Sequence, residues 1–82
     1  MALNDADPEL VGKMAISGCH QNSGQTCSAL TRLIIPTHMK EKVCEVIGNR
    51  IERYSTGDPL DENTRCGPMV SLRQQTSVNK YI

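Results

Sequence analysis

Apolar residues first recur at helical spacing between Pro8 and Cys19. Leu10, Val11, Met14, Ala15, Gly18 and Cys19 fall three and four positions apart, which puts them on one face of a helix. Asp7-Pro8 opens this helix, because an Asp side chain at the N-cap accepts from free backbone N–H groups and Pro suits the first helical position. Asn22-Ser23-Gly24-Gln25 breaks the pattern with turn-forming residues, among which Gly24 can take a backbone conformation closed to other residues. From Ala29 to Ile35 the chain is rich in Leu, Ile and Thr and is closed by Pro36, which predicts a strand.

A second helical stripe follows: Met39, Val43, Ile47, Ile51 and Tyr54, capped by Thr37, with Lys40, Glu41, Lys42, Glu45, Arg50, Glu52 and Arg53 mostly facing away. Gly57-Asp58-Pro59 ends it, and the stretch to Pro68 reads as a loop. Ser71 caps a last helix holding Leu72, Val78 and Ile82, and the chain stops inside that helix. The order helix, strand, helix, loop, helix is an α/β pattern without repeats, low-complexity segments or linkers. One strand cannot make a sheet. Its edges and the apolar faces therefore predict neighbours, either from the rest of a longer polypeptide or from another chain.

Composition sharpens that expectation. The 82 residues contain no Phe, no Trp and two Tyr, so the aromatic area that usually anchors a small core is missing. Nine Lys and Arg balance nine Asp and Glu, which argues against nucleic acid or an anionic membrane as a partner. No apolar run approaches the roughly 20 residues that span a bilayer. Asp5, Asp7 and Glu9 stand where a secretory signal would carry positive charge, so a cytoplasmic location is expected. In that setting thiols stay reduced, and Cys19, Cys27, Cys44 and Cys66 lack the C-x-x-C spacing of zinc or redox sites. No metal site is expected.

Among the cysteines, Cys27 follows a turn and precedes the expected strand, where a side chain can be presented to a cleft. Cys19 and Cys44 fall on the apolar faces of their helices and read as small buried hydrophobes. His20 raises a Cys–His hydrolase, yet a base must be placed by the fold within hydrogen-bond reach of the thiol, which nearness in sequence does not provide. Arg32 either pairs with a carboxylate or lies on the strand's polar face, and His38 is expected to face solvent.

The words around Cys27 carry more. Asn22-Ser23-Gly24-Gln25-Thr26-Cys27-Ser28-Ala29, followed by Thr31-Arg32-Leu33, resembles the N-x-G-Q-x-C active-site signature of the aldehyde dehydrogenase superfamily. Asp5-Ala6-Asp7 resembles the segment that opens the preceding helix in that family, and Gly57-Asp58-Pro59-Leu60-Asp61 resembles its G-D-P-x-D loop. Gly67-Pro68-Met69-Val70-Ser71 and the closing Tyr81-Ile82 follow in the family's order and spacing, so the resemblance covers essentially the whole chain.

The resemblance implies that residues 1–82 are an incomplete part of an aldehyde dehydrogenase catalytic domain. It further implies oxidation of an aldehyde to a carboxylic acid with NAD or NADP, through a thiohemiacetal and a thioester on Cys27, inside a homo-oligomer. Cys27 would be the nucleophile and its backbone N–H one donor to the oxyanion. Gln74 falls where some members place a glutamine near the nicotinamide ribose, although a surface helix glutamine is the plainer reading. Asn22, Gly24 and Gln25 are read as shaping the turn. His20 and Gln21 stand where the family often has aromatic or apolar residues lining the substrate tunnel. The general-base glutamate segment E-L-G-G-K, the oxyanion Asn and the dinucleotide-binding sheet have no counterpart, so the isolated chain is expected to be inactive. Two other readings remain: a truncated, non-catalytic product that associates with a full-length subunit or with itself, and simple acyl transfer by Cys27.

Overall fold

The structure is a computed structural model that describes every residue from Met1 to Ile82. Three helices organise it: α1, Pro8–His20; α2, Lys40–Ile51; and α3, Leu72–Asn79. The start of α1 is as expected, with Asp7 Oδ1 accepting from Glu9 N–H at 3.0 Å and Pro8 in the first turn. Ser71 likewise caps α3, its Oγ accepting from Gln74 N–H at 3.2 Å. Thr37 makes no capping bond; a 3-10 turn over Thr37–Met39 leads into α2 instead. Helix α3 closes at Asn79, with Tyr81 N–H bonding back to Val78 O, so it does not run on through Ile82.

The α/β expectation fails at its strand. Ala29–Ile35 forms no strand, and the fold is mostly helical. A strand exists only through its neighbours, and here the segment finds, beyond the turn bond from Ala29 N–H to Thr26 O, two isolated backbone partners: Leu30 N–H donates to Gly18 O at 3.0 Å, and Ala2 N–H donates to Ile34 O at 2.9 Å. The first of these also satisfies an open carbonyl in the last turn of α1. Ladder pairing is limited to one bridge between Thr56 and Cys66, within a loop drawn shut by Ser55, whose carbonyl accepts from both Arg65 and Cys66 N–H.

The core is the crossing of α1 and α2. Ile16, Met39, Val43 and Val46 are its buried side chains, and Gly12 is buried with them. At Gly12 the helices approach so closely that a Cβ would lie 2.6 Å from Val46 Cγ1. The contact face of α1 is thus turned from the one expected: Leu10 and Met14 are more than half exposed, while Gly12 and Ile16 face the partner. On α2, Val46 joins Val43 in the core, whereas Ile47 and Ile51 line an apolar groove of 280 Å³ shared with Ala15, Leu30 and Leu33. Cys19 and Cys44 are exposed, not buried, because neither side chain turns into this crossing. Helix α3 buries no residue. No helix is long and apolar enough to cross a membrane.

Candidate active-site loop

Helix α1 delivers the chain at His20 into a turn with left-handed backbone at three successive residues: Asn22 (φ 52°), Ser23 (φ 58°) and Gly24 (φ 74°). Glycine takes this region freely and asparagine tolerates it, but serine does not, and each non-glycine residue held there costs about 1 kcal/mol or more. Such a turn persists only where its surroundings hold it.

The surroundings here come from more than 40 residues along the chain. Ser23 Oγ donates to Gly67 O at 2.9 Å. Gln25 Oε1 accepts from Val70 N–H at 2.8 Å, and Gln25 Nε2 donates to Pro68 O at 3.4 Å and to Asn22 O at 3.3 Å. A glutamine carries one amide donor group and one carbonyl acceptor, so its side chain pairs with backbone sites as another peptide would. The nearer end is fastened as well, with Thr26 Oγ1 donating to Gln21 O at 3.2 Å.

Cys27 follows at once, inside a tight turn closed by Ala29 N–H on Thr26 O at 2.9 Å. Its side chain is exposed, and its own N–H makes no backbone hydrogen bond. Exposure alone does not distinguish it, since Cys19 and Cys44 are exposed too and Cys66 is half-buried. What distinguishes Cys27 is the tethered turn that presents it. Local sequence gives Gln25 a role in the turn alone; a Gln two residues before the thiol is its one signal, and nothing in it points to Pro68 or Val70.

Gln74 lies in the first turn of α3, exposed, on the rim of an open hollow of 490 Å³ between that helix and the turn, with Gly24, Gln25, Val70 and Val78. The fold therefore brings Gln74 to the same hollow as Gln25, and Cys27 is absent from its lining. A dinucleotide cradle needs a strand leading through a glycine-rich turn into a helix N-terminus, and no strand precedes any helix here. The residues of this chain do not fit NAD or NADP by themselves. His20 packs its ring on Tyr54, centroids 4.9 Å apart, with Nδ1 buried and without a hydrogen-bond partner. Nothing in that packing makes it a base for Cys27. Arg32 and His38 are both exposed, Arg32 at the rim of the apolar groove. No cluster of three or more His, Cys, Asp or Glu side chains converges.

Comparison with known proteins bears on all 82 residues. Aldehyde dehydrogenase family 2 member C4 of Arabidopsis thaliana is 33% identical over 82 residues, covering 100% of this chain and 16% of that protein. Aminoacetaldehyde dehydrogenase of Pseudomonas aeruginosa is 35% identical over 83 residues, covering 100% of this chain and 17% of that protein. The chain thus spans about a sixth of the length of these relatives. No solved structure matches. The sequence profile of the aldehyde dehydrogenase family matches residues 1–82, the tethered turn and its cysteine included, and the chain belongs to that family.

Proposed function

We propose that these residues are part of the catalytic domain of an enzyme that oxidises an aldehyde to a carboxylic acid with NAD or NADP, and that Cys27 is its nucleophile. The observation that carries this reading is an exposed thiol set directly after a strained turn that is held from a distant part of the chain. Strain fastened in this way is typical of sites where geometry matters to chemistry.

The Cys27 sulfur adds to the aldehyde carbonyl carbon, the carbonyl oxygen gains a proton, and a thiohemiacetal forms. As the oxygen acquires negative charge, the unpaired N–H of Cys27 can donate to it. A nicotinamide held by parts of the relatives' length outside these residues would supply the hydride acceptor that leaves Cys27 as a thioester, which water would hydrolyse to the acid. Binding of the dinucleotide and activation of that water fall to parts of the relatives' length outside these residues. From these residues only Gln74, exposed on the first turn of α3, is proposed to reach the ribose of a dinucleotide held by those other parts. The substrate is an aldehyde, the working form a homo-oligomer, and the location cytoplasmic.

The test is Cys27→Ala in the full polypeptide that carries this chain. Aldehyde-dependent reduction of NAD or NADP should fall at least about a thousandfold, as on removal of other covalent nucleophiles, and turnover that survives the substitution sinks the assignment.

One observation favours a second reading, association as a non-catalytic product with a full-length subunit or with itself: the apolar groove along Leu30, Leu33, Ile47 and Ile51 is open. Mixing the chain with a full-length subunit should then yield a complex on size-exclusion chromatography, and a chain that stays monomeric alone and in the mixture removes that reading.

A further inference from the structure

We infer that Gln25 is a positioning residue for the reaction at Cys27, acting through the backbone of the Cys27 turn; this rests on Cys27 as the nucleophile. Three facts converge on it. The turn that precedes Cys27 is held in left-handed backbone at Asn22 and Ser23, a conformation with its own drive to relax. The 2.8 Å bond from Val70 N–H to Gln25 Oε1 is the shortest tie across to the Gly67–Val70 segment, and the Gln25 amide also bonds Asn22 O within the turn itself. The N–H of Cys27, two residues on, is left without a backbone acceptor.

Without the Gln25 amide the turn keeps only the Ser23 bond to Gly67 O from across the chain, and its strained residues can relax. The direction of the Cys27 N–H then changes. Misplacement by about 1 Å can cost on the order of a hundredfold in rate, because a developing oxyanion needs its donor already in place. A simple displacement at a saturated carbon by the sulfur forms no oxyanion and needs no such donor. Gln25 is suited to the task by length and by carrying both donor and acceptor: the substitution Gln25→Glu would keep an acceptor for Val70 N–H and lose the donor to Pro68 O.

The experiment compares two reactions of the same thiol in the full polypeptide that carries this chain, read by site-resolved mass spectrometry. With p-nitrophenyl acetate, a carbon–sulfur bond forms at the ester carbonyl, the thiol proton goes to solvent, and p-nitrophenolate leaves from the tetrahedral oxyanion. With iodoacetamide, sulfur displaces iodide directly. Cys44, exposed on α2 and outside the tether, is the internal reference. Gln25→Met keeps the unbranched shape and deletes both polar atoms.

The expected result is a fall of about ten- to a hundredfold in Cys27 acetylation relative to Cys44, with alkylation of Cys27 within about twofold of the parent, and partial recovery in Gln25→Glu. Acetylation that is unchanged in Gln25→Met overturns the inference. So does an equal loss of both reactions, which assigns Gln25 to the folding of the loop alone. A parent protein whose Cys27 is acetylated no faster than Cys44 overturns the nucleophile assignment instead, so the two failures are told apart.

Discussion

The sharpest test of the packing is one added methyl group at two glycines. Gly12 and Gly48 both lie inside helices, where Ala is favoured over Gly by about 0.8–1.0 kcal/mol. At Gly48 a Cβ meets nothing within 4 Å, so Gly48→Ala should be stabilising by most of that amount. At Gly12 the same atom lands 2.6 Å from Val46 Cγ1 and 2.9 Å from Val46 Cβ. Val46 is β-branched and strongly prefers one χ1 rotamer in a helix, so its side chain cannot swing away cheaply. The helices must separate, and overpacking of this kind costs about 1–3 kcal/mol. After the propensity gain is subtracted, Gly12→Ala should be destabilising by about 1 kcal/mol, which for a domain of this size lowers the thermal midpoint by about 4–8 °C. Far-UV circular dichroism melts of both variants beside the parent give the comparison. Val46→Ala should relieve part of the clash, since it removes Cγ1 and leaves the Cβ, so the double variant should be more stable than the sum of the singles. A Gly12→Ala protein that melts as high as Gly48→Ala would refute the close crossing of α1 and α2.

Two further outcomes follow from the helix ends and the charges. Ser71→Ala removes the side-chain acceptor for Gln74 N–H and should destabilise α3 by about 1 kcal/mol; faster amide exchange confined to the first turn of α3 is the reading, and unchanged exchange there contradicts the cap. Lys42 Nζ donates to Glu45 Oε2 at 2.9 Å, and this hydrogen bond, followed by the attraction of the Glu45 carboxylate, raises the Lys42 pKa above the ordinary lysine value. A raised folded-state pKa stabilises fully below the ordinary value and is lost as pH climbs through the raised one. Both side chains are more than half exposed, so the loss is shallow. Thermal midpoints measured from about pH 9 to pH 12 should decline slightly less in Lys42→Met than in the parent, and identical profiles would leave the pair without effect on stability.

Local chemistry was legible in the sequence wherever the cause lay within a few residues. Asp7-Pro8 starts α1 and Ser71 starts α3, because an N-cap acts on N–H groups two or three positions ahead. Gly24 is left-handed, as a turn between Asn22 and Gln25 requires. The motif around Cys27 carried the family, since order and spacing of short words survive where overall identity does not.

Tertiary structure alone decided the rest. The apolar periodicity of α1 offered Leu10 and Met14, but a helix's buried face is chosen by what it packs against, and the crossing with α2, closest where Gly12 meets Val46, buried Gly12 and Ile16. Ala29–Ile35 has a strand's composition and no strand's partners: apart from the turn bond to Thr26, Gly18 and Ala2 each bond it once and it stays irregular. Cys19 and Cys44 sit outside the crossing that would have buried them. The ties from Ser23 and Gln25 to Gly67, Pro68 and Val70 join positions 43 to 45 residues apart, beyond the range of any local preference. Propensity acts along the chain over one or two turns; contacts across it exist only once the chain has folded back, and the setting of Cys27 depends on those.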